Sequence, residues 1–143
     1  ILVSAPIFYE NDYHEIRDTN GPIVLTEDGS HLSSIWQRAI HWSMEGRTLE
    51  QLAYVFSDRI RAPERMQSRY YEVSEFDMEG GLKRLTQPVL ILNPEDDLVR
   101  ETARARGMAT HPESQFRDLP GWSHGFLELH TEEFTEITNA FLN

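Results

Sequence analysis

The sequence predicts an α/β fold with a parallel sheet and a helical insertion. Two observations carry that expectation. Short all-apolar runs, residues 1–3 and 89–92, have the length and composition of strands buried on both faces. The segments between and after them place apolar residues at helical spacing, so strands alternate with helices as right-handed crossovers require.

The chain opens on Ile1-Leu2-Val3-Ser4-Ala5-Pro6-Ile7-Phe8, which reads as a strand buried on both faces and ending at Pro6. Such a strand needs neighbours on both sides and helices above and below. The sequence offers only two further strands, at 89–93 and 115–119. Part of the sheet is therefore expected from elsewhere.

Residues 9–24 are polar and read as irregular, with Asn20-Gly21-Pro22 a turn. Leu32, Ile35, Trp36, Ala39 and Ile40 then follow helical spacing, with Ser30 or Asp28 as the cap. A second helix opens on the capping box Thr48-x-x-Gln51 and aligns Leu49, Leu52, Val55, Phe56 and Ile60. Pro63 should end it and start a third helix through Met66, Tyr70 and Val73, with Gly80-Gly81 closing the region. The expected organisation is a core strand at 1–8, a helical cap over 9–80, and the rest of the core at 81–143.

After Pro88 the apolar strand runs into Glu95-Asp96-Asp97, and residues 100–110 have helix-forming composition. The strand at 115–119 is less apolar and belongs nearer the sheet edge. A last helix starts near Thr131, with Glu132 and Glu133 favourable in its first turn and Phe134, Ile137, Phe141 and Leu142 on its buried side.

Composition excludes several classes. A net charge of −11, with Arg scattered among Glu and Asp, argues against a nucleic-acid surface. No run approaches the ~18 apolar residues of a membrane helix. The first residues carry no initiator Met and no basic segment, so no signal peptide is expected. Zero Cys excludes disulfides and thiolate chemistry and fits a reducing cytoplasm.

The chemistry-bearing residues follow consecutive strands. In parallel sheets functional groups collect in loops at the carboxyl ends of strands. Asp97 falls in the loop after the strand at 89–93, with Asp96 the second choice, and His124 falls after the strand at 115–119. A histidine serves as a general base when a carboxylate holds its other ring nitrogen. An acid followed by a histidine is the back half of such a relay. Ser4 and Ser123 are the nearest nucleophile candidates, but neither sits on a strand-to-helix elbow in the sequence reading. His41-x-x-x-Glu45 lacks a third ligand, so no metal is expected, and no other cofactor either.

Residues 88–143 resemble the C-terminal end of α/β-hydrolase-fold enzymes. The resemblance rests on the Pro88-led strand, the acid loop Pro94-Glu95-Asp96-Asp97, the segment Gly121-Trp122-Ser123-His124, and the helix start Glu132-Glu133-Phe134. Residues 1–8 resemble the strand after the nucleophile helix, and 9–80 stand where the family carries its helical cap. Pro94 replaces the usual Gly of the acid loop, Leu98 stands where Pro or Arg is common, and Leu129 where many members have Glu. Neither Gly-x-Ser-x-Gly nor an oxyanion-hole loop is present.

The resemblance implies the last three strands of a mainly parallel sheet, incomplete without an N-terminal partner segment. It implies hydrolysis of an ester, lactone or amide in a small, fairly apolar molecule by a Ser-His-Asp triad. Asp97 and His124 would come from this chain. The Ser and the oxyanion hole would come from a second polypeptide, either the other product of a cleaved common precursor or a first half carried as a separate chain; the start without Met at a strand boundary favours cleavage. Trp36, Trp122 and Phe126 would line the substrate pocket. Epoxide hydrolase, dehalogenase, C–C hydrolase, perhydrolase and peptidase chemistries share the fold, and a non-catalytic binding relic is the reading outside enzymes.

Overall fold

A computed structural model describes residues 1–19, 23–44, 46–61 and 70–143, without the side chains of 17–19 and 42. It contains a three-stranded parallel sheet and several helices, a mixed α/β architecture compatible with part of a larger α/β fold. The chain forms two units: residues 1–7 with 77–143, and residues 8–76.

The first unit holds the sheet, in the order β1 (Leu2–Val3), β2 (Leu90–Pro94), β3 (Gln115–Leu119). Leu2 pairs with Ile91, and Leu90 through Pro94 pair one-to-one with Gln115 through Leu119. All five residues of β2 are buried because both faces are covered. Leu90 and Leu92 point to a cluster with Leu119, Trp122 and three residues of the last helix, Phe134, Ile137 and Phe141. Ile91 points the other way, to Ala5, Ile7, Leu82, Val89 and Ala105. Each fully buried Leu here contributes about 1.5–3 kcal/mol. Among the described residues β3, the less apolar strand, lies at an edge of the sheet, as β1 does.

The opening strand is shorter than its composition suggests. Only Leu2 and Val3 are strand, Ser4 bends away after one further bond to Leu92 O, and Ala5 to Ile7 are buried without being strand. Ile1 stays 49% exposed and Val3 37%, because β1 pairs with β2 alone among the described residues. An apolar strand with one neighbour cannot bury both its faces.

Helices flank the sheet within this unit. The helix Met78–Arg84 passes straight through Gly80-Gly81, which the sequence reading placed as a terminator. Asp77 accounts for this: its side chain accepts the N–H of Gly80 and caps the helix. The helix expected over 100–110 spans only Val99–Ala103. Beyond it the bonds shorten to the i−3 carbonyl, as in Ala105 to Thr102 and Met108 to Ala105, and Gly107 at φ +77° leaves the helical region. A one-turn helix, Phe126–Leu129, precedes the final helix, Thr131–Leu142, which begins where the sequence places it.

The second unit is helical. Its first helix, Glu10–Thr19, lies where irregular chain was expected. The Asp12 carboxylate accepts the backbone N–H of Tyr9 at 2.7 Å, a local cap that a search for apolar spacing overlooks. The helix Ser30–Ser43 follows Gly29, which holds φ +73° while Asp28 accepts the N–H of Ser30. The helix Leu49–Arg61 starts on a reciprocal capping box. Thr48 N–H donates to Gln51 Oε1, and Gln51 N–H donates to Thr48 Oγ1. Ile35, Ala39 and Leu52 are buried, and Trp36 meets Phe56 edge-to-face at 5.3 Å. Residues 70–75 are helical. The expected turn at Asn20-Gly21-Pro22 and the helix start at Pro63 and Met66 lie outside the described residues.

Candidate active site

The loops after β2 and β3 leave the same end of the sheet, because the two strands are parallel and paired in register. This brings Asp96, Asp97 and His124 together. Asp97 Oδ1 lies 2.7 Å from Nε2 of His124. The approach is not aligned as a hydrogen bond, and this buried oxygen has no aligned donor among the described residues. At this distance the two groups form an ion pair whenever the ring is protonated. On the other side of the ring, Asp96 Oδ2 lies 3.8 Å from Nδ1, beyond hydrogen-bond reach.

The aspartates differ in setting. The Asp96 side chain is 4% exposed and that of Asp97 19%. Asp96 is anchored at both oxygens: Oδ1 accepts the N–H of Leu98, and Oδ2 accepts the hydroxyl of Ser4 at 2.8 Å. Burial pushes the Asp96 carboxyl above the usual carboxylate range. The Ser4 hydroxyl, the Leu98 N–H and the His124 ring oppose that shift, and the charge of Asp97 adds to it.

Two further contacts fix the loops. Glu95 Oε2 accepts the N–H of Gly121 at 2.8 Å, joining the acid loop to the histidine loop. Gly121 holds φ +79°, a conformation in which a Cβ is strained. In the same stretch of chain, Trp122 stacks on His130 at 4.4 Å and 5° between planes, and on Phe126 at 5.7 Å. Phe126 also meets Phe134. Phe126 is only 5% exposed, so its ring belongs to the core. Trp122 belongs to the same stack, and Trp36 packs on Phe56 in the helical unit.

Sequence reasoning singled out Asp97 and His124, with Asp96 second, and the fold brings all three to one place. It did not find the roles of Ser4 and Glu95. For Ser4 the signal is masked by the apolar residues around it, which carry the pattern of a continuous strand. Glu95 is one of three consecutive acids, and spacing does not distinguish it from its neighbours.

One ligand atom from each of Asp96, Asp97 and His124 fits within 4.8 Å, a span that a cation could bridge. The close pair does not suit one. Ligands about 2.0–2.1 Å from a tetrahedral zinc stand roughly 3.3 Å apart, wider than the 2.7 Å between Nε2 and Oδ1. The trio is arranged as a histidine between two carboxylates. Of the other histidines, His31 Nδ1 contacts Thr26 and His111 Nδ1 accepts the N–H of Glu113, both local loop contacts. Glu45, the partner considered for His41, lies outside the described residues.

No helix among the described residues is long and apolar enough to cross a membrane. Comparison with protein-family models, curated proteins and solved structures gave no match.

Proposed function

We propose that this chain supplies the acid and the histidine of an α/β-hydrolase relay, with the nucleophile and oxyanion hole on a second polypeptide. The observation that carries the proposal is the 2.7 Å approach of Asp97 to His124 from the ends of adjacent parallel strands. The exposed apolar edge of β1, Ile1 and Val3, is consistent with a sheet that continues into a partner. The substrate class is a small, fairly apolar ester, lactone or amide, and the absence of Cys fits a cytoplasmic setting.

In the proposed reaction the partner's Ser hydroxyl attacks the acyl carbon while His124 takes its proton. His124 then returns that proton to the leaving group, and water repeats the cycle on the acyl intermediate. The carboxylate opposite the working nitrogen holds the ring and stabilises the imidazolium. By distance this acid is Asp97, which leaves Nδ1 to move the proton. Burial and anchoring favour a second assignment, in which Asp96 orients Nδ1 and Asp97 gives way at Nε2 to the incoming hydroxyl.

Turnover of a generic aryl ester by the assembled protein tests the reading. His124→Ala should reduce it by a factor of about 10³ or more. Unchanged turnover in that variant rejects the relay. Between Asp96→Asn and Asp97→Asn, the larger loss identifies the orienting acid.

A further inference from the structure

We infer that Ser4 is a positioning residue of this site: its hydroxyl fixes the Asp96 carboxylate beside Nδ1 of His124, so the turn ending β1 sets the geometry on that side of the ring. The inference rests on the proposed relay for its catalytic meaning, but not for its structural content.

Ser4 is the only non-glycine residue with positive φ among those described, at φ +50°. An L-residue held there is strained, and a glycine would relieve that strain. Such strain persists where the surroundings over-determine the conformation, and three contacts do so here. The N–H of Ser4 donates to Leu92 O, extending the β1–β2 ladder by one bond. The next residues, Ala5 to Ile7, are buried, and the N–H of Ile7 donates to Glu101 O. The side chain then reaches across 92 residues of sequence to donate to Asp96 Oδ2.

That acceptor is the oxygen facing Nδ1 of His124. Its partner, Oδ1, is held by Leu98 N–H. With one oxygen held by a backbone N–H and the other by the Ser4 hydroxyl, the carboxylate is restrained from swinging toward or away from the ring. The charged groups facing it are His124 from the loop after β3 and Asp97 from its own loop. Ser4 and Leu98 supply the neutral donors. Removal of the hydroxyl leaves the buried carboxylate with one fixed oxygen and one weaker reason to ionise.

The test uses the purified protein, with side-chain carboxyl ¹³C and imidazole ¹⁵N NMR across pH. Two variants separate hydroxyl from backbone: Ser4→Ala loses the hydroxyl and keeps the strain, whereas Ser4→Gly loses both. In each, the Asp96 midpoint should move upward and the His124 Nδ1 signal should shift. Unchanged Asp96 and His124 signals in a folded variant overturn the inference, as does a wild-type response restored in Ser4→Gly. Because Ser4→Gly removes strain, it keeps the test available if Ser4→Ala folds poorly. In the assembled protein the same variants should lower kcat for an aryl ester about tenfold or more, with KM little changed. If wild-type turnover proves insensitive to His124→Ala, the relay fails, while the NMR measurement still decides whether Ser4 governs Asp96.

Discussion

Glu95 accepts the backbone N–H of Gly121 at 2.8 Å, so the loop bearing Asp96 and Asp97 is tied directly to the loop bearing His124. The two loops follow neighbouring strands but are separated by a helix and a run of tight turns. This bond adds a direct tie beside the Asp97–His124 approach and the paired strand ends. Glu95→Ala should cost about 1 kcal/mol or less in global stability, because the bond is exposed. It should nevertheless loosen His124, seen as broadened imidazole resonances. Glu95→Gln keeps an acceptor oxygen and should restore them. Sharp, unshifted His124 signals in Glu95→Ala would show that the tie does not position the histidine.

Asp96 gives a pH signature of defined sign. Burial raises its folded-state pKa above the unfolded value, so the neutral form is the better tolerated one in the fold. Its contribution to stability is fully present below the ordinary carboxylate range, about pH 4, and is lost as pH rises through the raised value. Asp96→Asn cannot ionise and escapes that loss. Urea midpoints of the variant relative to wild type should therefore improve between pH 4 and pH 7. A constant gap would mean that the carboxyl titrates normally.

The centre of the sheet should be the least tolerant region. Leu92 is fully buried, packed with Leu90, Leu119 and the rings of the last helix. Leu92→Ala should destabilise by about 2–5 kcal/mol, measured by chemical denaturation. A loss below 1 kcal/mol would contradict the packing described for β2.

In the helical unit the capping box makes a smaller, local prediction. Thr48→Ala removes the acceptor for Gln51 N–H and should cost about 1 kcal/mol. Hydrogen exchange at the first turn of the helix Leu49–Arg61 should accelerate with it. Unaltered exchange there would mean that the box contributes nothing to the helix start.

The strand–helix order and the three strands were legible in the sequence because buried strands and amphipathic helices differ in apolar periodicity. The box Thr48-x-x-Gln51 was readable from four residues alone. The helix Glu10–Thr19 was not, because its polar composition hides it and only the Tyr9–Asp12 cap signals a start. Gly80-Gly81 misled for the converse reason: local propensity favours a break, and the Asp77 cap overrides it. At the site, Asp96, Asp97 and His124 were visible as residues following strands. Which ring nitrogen each aspartate faces depends on loop geometry that no spacing encodes. Ser4 escaped because its left-handed φ appears only once the chain is folded.

The central claim is that the Asp–His pair serves a nucleophile carried by another polypeptide. The most direct measurement is labelling of the assembled, active protein with a fluorophosphonate, followed by mass spectrometry of the modified peptide. A single labelled Ser in a co-purifying chain is expected, with labelling suppressed by His124→Ala. A label on Ser4 or Ser123 of this chain, or labelling indifferent to His124→Ala, would contradict it.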